Sequence, residues 1–69
     1  MTDISLSVNG EPRQVPARST LAEVVAGVSA APSGVAAAVN ETVVPRGAWA
    51  GTGLAAGDRI EILTAVQGG

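Results

Sequence analysis

The residues best suited to carry chemistry are the last six of the sequence, Thr64 to Gly69, where an apolar segment ends on two glycines. Glycine has no Cβ, so Gly68 can enter a narrow channel and adopt backbone angles closed to other residues. Drawn out, the four residues from Val66 onward span about 13 Å, at roughly 3.3 Å each. The chemistry would take place on the carboxylate of Gly69. A frayed chain end without function is the alternative, because Gly-Gly alone is a weak signal.

The composition leaves little room for catalysis within the chain itself. The sequence of 69 residues contains no cysteine, no histidine and no tyrosine. These absences remove the thiolate nucleophile, the commonest metal ligand and the usual general acid–base groups. A self-contained enzyme is therefore disfavoured. The chain also has no lysine, so lysine-linked chains of this protein cannot form.

Charge and hydropathy narrow the classes of partner. The net charge is −2, the four arginines are scattered, and Trp49 is the single aromatic residue. Nucleic-acid binding usually needs a basic patch or a stacking platform, so it is disfavoured. The sequence contains no apolar run of membrane length and no signal-peptide pattern at its start. We expect one small cytoplasmic domain with no membrane contact.

The first half of the chain predicts a hairpin followed by a helix. Apolar residues alternate with polar ones over residues 4–8, which is typical of a strand, and Asn9-Gly10 is a strong turn signal. Residues 13–15 would form a short returning edge strand, because Pro12 and Pro16 bracket it and limit its pairing.

The helix is predicted to begin after Thr20. Thr20 and Glu23 have the spacing of a capping box, in which each side chain bonds the other residue's backbone amide. The apolar residues after the cap have helical spacing and should form one stripe along the helix; they are Leu21, Val24, Val25 and Val28.

The second half predicts three more strands, at residues 35–39, 43–45 and 59–65. The first of these is apolar throughout, so we expect it to be buried on much of both faces. The segment of residues 46–53 should be irregular, with Trp49 covering one end of the core. Ligand stacking by Trp49 is the less favoured alternative, because buried aromatic residues usually serve packing.

The last strand has two chemically different faces. Ile60 and Ile62, with Thr64 as a third candidate, should take the covered face, whereas Arg59, Glu61 and Leu63 should take the other. Leu63 breaks the pattern of the charged face. An exposed leucine is often incidental, but it can also belong to a docking patch. We therefore treat Leu63, Arg59 and Glu61 as candidate partner-binding residues.

This order of elements favours an α+β fold of the β-grasp (ubiquitin-like) type, a mixed sheet with one main helix packed on one face. The first and last strands would be parallel neighbours at the centre, because the helical segment supplies the long crossover that parallel pairing needs. We expect a β-grasp domain over residues 1–65 and a flexible C-terminal tail over residues 66–69.

Several segments together are characteristic of one family: residues 8–11 (VNGE), 35–41 (VAAAVNE), 43–46 (VVPR), Trp49, 57–62 (GDRIEI) and 64–69 (TAVQGG). In these segments, and over essentially its whole length, the chain resembles the ThiS family, the sulfur carrier proteins of thiamine (thiazole) biosynthesis. The ending is the most specific part. One departure is that the turn after the third strand is often Asn-Gly-Glu in this family, and the glycine is missing here at Asn40-Glu41.

The resemblance implies a mechanism and a set of partners. A ubiquitin-activating-like adenylyltransferase would use ATP and Mg²⁺ to adenylate Gly69, and the carrier itself would bind no cofactor. A persulfide made with a cysteine desulfurase would displace AMP and leave a C-terminal thiocarboxylate. Thiazole synthase would then take the sulfur. Gly68 would permit threading of the tail, and Val66 and Gln67 would line the partner's entry groove.

Three other readings stay open at this point. The chain could be another sulfur carrier of the same fold, such as the small subunit of molybdopterin synthase or a carrier for cysteine synthesis. A ubiquitin-like protein modifier shares the acyl-adenylate chemistry. A plain interaction module with an accidental Gly-Gly ending is the third.

Overall fold

The computed structural model of the protein describes residues 2–28 and 34–64, which form a mixed five-stranded sheet with one α-helix. The elements are β1 (Asp3–Val8), β2 (Glu11–Pro16), α1 (Leu21–Val28), β3 (Val35–Val39), β4 (Thr42–Val44), a 3-10 helix (Arg46–Gly51) and β5 (Arg59–Thr64). The strand order is β2-β1-β5-β3-β4. β1 and β5 are parallel, and the other pairs are antiparallel. The predicted β-grasp fold, with the first and last strands side by side, is confirmed.

The hairpin at the start of the chain follows from two residues with positive φ. Asn9 has φ 52° and Gly10 has φ 83°, as a tight two-residue turn requires. The returning strand is longer than predicted, because β2 includes both Pro12 and Pro16. β2 lies at the edge of the sheet, where alternate amides point away from the neighbouring strand. The two prolines are four positions apart, so both fall in the same alternate set, and their missing N–H groups do not interrupt the pairing.

The start of α1 is fixed by the predicted capping box. The backbone amide of Thr20 donates to Glu23 Oε1 at 2.9 Å, and the amide of Glu23 donates to Thr20 Oγ1 at 3.3 Å. Two amides that the helix itself cannot satisfy are therefore paired. The stripe that follows packs against the sheet through Leu21, Val24 and Val25, whereas Val28 at the helix end is partly exposed.

The core lies between α1 and one face of the sheet. Its buried residues are Leu6, Val8, Leu21, Val24, Val25, Ala37, Trp49, Leu54, Ile60 and Ile62. The segment expected to be irregular forms a 3-10 helix over most of its length. From there Trp49 closes one end of the core, and its Nε1 donates to the carbonyl of Val44 at 2.8 Å. The packing role predicted for Trp49 is confirmed.

The other face of the sheet is uncovered in the described part of the chain. The prediction that β3 is buried on much of both faces was wrong, since Ala36 is exposed and only Ala37 is fully buried. Alanine occurs on both faces of this strand, so its sequence does not distinguish the wet face from the packed one. None of the helices in the described ranges has the length and apolarity that a membrane span requires.

Candidate functional site

The four tail residues predicted to carry or position the chemistry lie outside the described residues. These are Val66, Gln67, Gly68 and Gly69, and their roles stay predictions. What the structure provides is the strand that leads into them. β5 is the central strand of the sheet, with β1 on one side and β3 on the other, and it is described as far as Thr64.

Residues alternate along β5 between a buried and an exposed face, as predicted. Ile60 is 1% exposed and Ile62 is 6% exposed, and both belong to the core. Arg59, Glu61 and Leu63 are exposed on the opposite face, with Leu63 at 71%. The candidate docking residues therefore share one face of one strand. Thr64 was a candidate for the covered face, but it is exposed near the end of the strand.

The register of β5 with β3 and β4 places further small and apolar residues beside Leu63. Ala36 lies opposite Leu63, and Ala38 lies opposite Glu61. On its other side Ala38 pairs with Val43 of β4, which is 73% exposed. The open face thus combines two large exposed apolar side chains, separated by alanines. The sequence did not predict Val43 as part of this face, because the face on which it lies depends on which residue of β3 it pairs with.

These residues line a shallow depression of about 340 Å³. Its lining residues are Asn9, Ala36, Ala37, Ala38, Glu41, Val43, Glu61 and Leu63. The floor is formed by alanine, whose side chain is too short to fill the space between Leu63 and Val43. We call this exposed patch, centred on Ala36, Ala38, Val43 and Leu63, the open-face patch.

Charged residues border the open-face patch on one side. Arg59 Nη2 lies 3.7 Å from Glu41 Oε2, and both side chains are mostly exposed, at 64% and 77%. An ion pair this exposed contributes little to stability, because water and salt screen it. Both partners therefore stay available to other charges. An apolar centre with a charged rim is the usual composition of a protein–protein interface.

The turn between β3 and β4 holds this border in place at a conformational cost. Asn40 has φ 50° and Glu41 has φ 72°, a region that glycine adopts readily and glutamate does not. The glycine noted as missing from this turn would therefore relieve strain. The Asn40 side chain also fixes the start of β5, because its Oδ1 accepts from the amide of Arg59 at 2.9 Å. Its Nδ2 donates to Asp58 Oδ1 at 3.0 Å.

Two comparisons identify proteins to which the chain is similar. The model of the ThiS family matches residues 6–69. The crystal structure of the thiamine biosynthesis protein ThiS from Geobacter metallireducens superimposes with a TM-score of 0.77 at 29% sequence identity. That match covers 96% of this chain and all of the other. No curated protein sequence matches the chain significantly.

Proposed function

Because the chain belongs to the ThiS family, the sulfur carriers of thiamine biosynthesis, we propose that Gly69 carries the sulfur as a C-terminal thiocarboxylate. The proposal takes the Gly69 carboxylate as a free chain end. The observation that supports it is the placement of β5: the central strand is fixed on both sides and leads toward the Gly-Gly ending. A firmly held strand can present a short tail to an enzyme at a reproducible position.

The proposed conversion of the carboxylate into a thiocarboxylate has three steps. The Gly69 carboxylate attacks the α-phosphate of ATP, forming an acyl-adenylate and releasing pyrophosphate. A persulfide sulfur then attacks the acyl carbon and expels AMP, which leaves an acyl disulfide. A second thiol then attacks the donor's own sulfur, forms a disulfide with it, and expels the thiocarboxylate, which keeps the transferred sulfur. Activation must come first, because a carboxylate is a poor electrophile and AMP is a good leaving group.

The open-face patch is the proposed docking surface for the partner enzymes. Leu63 and Val43 supply apolar contact area, whereas Arg59 and Glu61 supply charges that orient the partner. In this arrangement Val66 and Gln67 line the entry groove, and Gly68 passes its narrowest point. The partners are a ubiquitin-activating-like adenylyltransferase, with its ATP and Mg²⁺, and thiazole synthase. A cysteine desulfurase or another donor supplies the sulfur.

The cysteine-free sequence makes the thiocarboxylate directly detectable. The protein is incubated with an adenylyltransferase of this pathway, ATP, Mg²⁺ and a persulfide source, and is then treated with a thiol-alkylating reagent. The chain has no cysteine, so alkylation at its C-terminal peptide reports the newly added sulfur. Mass spectrometry should find one added alkyl group per chain. Alkylation also separates sulfur transfer from oxidation of Met1 or Trp49, which changes the intact mass by a similar amount.

Two tail variants control this experiment. Deletion of Gly69 should abolish alkylation while the protein stays folded, because the core residues named above all lie within residues 6–62. Gly68→Val should slow activation, because a branched side chain obstructs a channel shaped for glycine. Equal alkylation of the Gly69 deletion would contradict the assignment of the sulfur to this residue.

The same reaction distinguishes the remaining alternatives. Transfer of sulfur to thiazole synthase, but not to a molybdopterin or cysteine synthase, would identify the receiving enzyme. Covalent conjugates of the chain with lysine-containing proteins in a lysate would instead favour a protein modifier. No alkylation with an adenylyltransferase that is active on its own carrier would favour a plain interaction module.

A further inference from the structure

The parallel pairing of β1 with β5 ends abruptly at the hairpin turn. The backbone amides of Ser7 and Asn9 donate to the carbonyls of Asp58 and Ile60, at 3.0 and 2.8 Å. The two acceptors are two residues apart, so the next residue of β5 that would bond β1 is Ile62. The backbone of β1 cannot supply the next partner, because the chain turns away at Asn9, where φ is 52°.

The side chain of Asn9 takes the place of the missing strand. Its Oδ1 accepts a hydrogen bond from the Ile62 amide at 2.8 Å, and its Nδ2 donates to the Ile62 carbonyl at 3.2 Å. The two residues are 53 positions apart in sequence. A primary amide offers the same donor and acceptor as a peptide group, so Asn9 extends the ladder by one residue.

This contact holds β5 two residues before the end of the strand, on the side of β1. β3 supports β5 as far as Thr64, which pairs with Val35. On the side of β1, the described hydrogen bonds to β5 end at Ile62, which bonds the side-chain amide of Asn9. Asn9 also lines the depression of the open-face patch. One side chain therefore connects the docking surface with the strand that leads to the tail.

We propose that Asn9 is a positioning residue, which fixes the exit of the C-terminal tail relative to the open-face patch. The inference rests on the proposed function, because it concerns delivery of Gly69 to the activating enzyme. With the amide in place, a docked partner receives the tail from one defined origin. Without it, one side of β5 is released at Ile62, and the same docking leaves Gly69 at a spread of positions. Displacements of about 1 Å can cost up to ~100-fold in rate.

The chain offers a closely matched pair of variants. Asn9→Gly keeps a residue that tolerates positive φ and removes the side chain that carries the amide. Asn40→Gly is the control, because Asn40 also has positive φ (50°) and also bonds β5, but at the start of the strand. We expect Asn9→Gly to lower the kcat of adenylation about tenfold, with the KM for the carrier within about twofold of wild type. Asn40→Gly should leave kcat within about twofold, and any change should fall on KM, because Asn40 bonds the amide of Arg59, a proposed docking residue.

Hydrogen exchange tests the contact without any enzyme. The Ile62 amide should exchange at least about tenfold faster in Asn9→Gly, because its acceptor is gone, and should be little changed in Asn40→Gly. Asn9→Asp is a second variant, which keeps the acceptor and loses the donor. It should give a smaller loss of kcat, about threefold. Thermal unfolding of each variant establishes that the protein is folded at the assay temperature.

Each outcome has a distinct meaning. In Asn9→Gly, faster exchange at Ile62 with unchanged kcat would overturn the positioning role, and so would unchanged exchange at Ile62. An equal loss of kcat in Asn40→Gly would also overturn it. A rise in KM alone would make Asn9 a docking residue and also overturn it. If the wild-type chain is not adenylated by a competent enzyme, the proposed function fails and the role of Asn9 fails with it. Exchange at Ile62 would in that case still report whether the amide holds the strand.

Discussion

The two faces of β5 differ completely in burial, although they belong to the same strand of six residues. On one face Ile60 and Ile62 are buried under α1 and contribute to the core. On the other face Glu61 and Leu63 are exposed, and no described element covers them. Stability therefore depends on one face of the strand and hardly on the other. A face without a packing role can be specialised for a partner without weakening the fold.

The largest effect on stability is expected on the covered face, from Ile60→Ala. Ile60 is 1% exposed, so the substitution leaves a cavity as well as removing apolar contacts. The expected loss is about 3 kcal/mol in the free energy of unfolding, a large fraction of what so small a domain possesses. Urea unfolding measures it. Glu61→Ala, the next residue on the open face, should change the free energy by less than about 0.5 kcal/mol. Similar losses in both variants would end the distinction between the faces.

A smaller effect is expected at the end of the covered face, from Trp49→Phe. The substitution keeps an aromatic ring in the core, but the smaller ring fills less space and lacks the Nε1 donor to the carbonyl of Val44. Leaving that carbonyl without its partner should cost about 1–2 kcal/mol. Thermal or urea unfolding tests this value. A change below about 0.3 kcal/mol would mean that packing alone, without the hydrogen bond, accounts for the role of Trp49.

The border of the open face should respond in the opposite direction. Glu41 has φ 72°, where a residue with a Cβ is strained, so Glu41→Gly should raise the free energy of unfolding by about 1 kcal/mol. Glu41→Ala is the matched control, because it also removes the ion pair to Arg59 but keeps the strained backbone. It should give no gain. Equal gains from Gly and Ala would attribute the effect to the charge rather than to the backbone.

Local signals in the sequence predicted much of the fold. The alternation along β1 and β5, the Asn9-Gly10 turn and the capping box of Thr20 and Glu23 each depend on residues close together in the chain. Such patterns can be read without knowing what the segment packs against. The same is true of the exposed Leu63, which was predicted as an out-of-pattern residue on a charged face.

What the sequence did not predict depends on contacts between distant segments. Val43 joins the open-face patch only because Ala38 pairs with it, and a shift of one residue would turn it inward. The bond of Asn9 to Ile62 joins two residues that are 53 positions apart. The inclusion of Pro12 in β2 depends on its register with β1, in which it lies opposite Ser7. None of these follows from local periodicity.

The smallest effect on stability, with a separate effect on binding, is expected from Leu63→Ala. Leu63 is 71% exposed, so its truncation should change the free energy of unfolding by less than about 0.5 kcal/mol. Truncation of a buried anchor residue at the centre of an interface can cost more than about 1 kcal/mol of binding free energy. If the proposed adenylyltransferase docks here, its Kd should therefore rise about tenfold, chiefly through faster dissociation. Surface plasmon resonance measures the Kd and the dissociation rate, and urea unfolding measures the change in stability.

Val28→Ala is the appropriate control for Leu63→Ala, because Val28 is a partly exposed apolar residue on the helix, away from the open-face patch. Its truncation should leave the Kd unchanged. If both variants bind normally, the open face of β5 is no more specialised than the rest of the surface, and docking must depend on the tail alone. If only Leu63→Ala weakens binding, the two faces of one strand carry separate functions, one for folding and one for recognition.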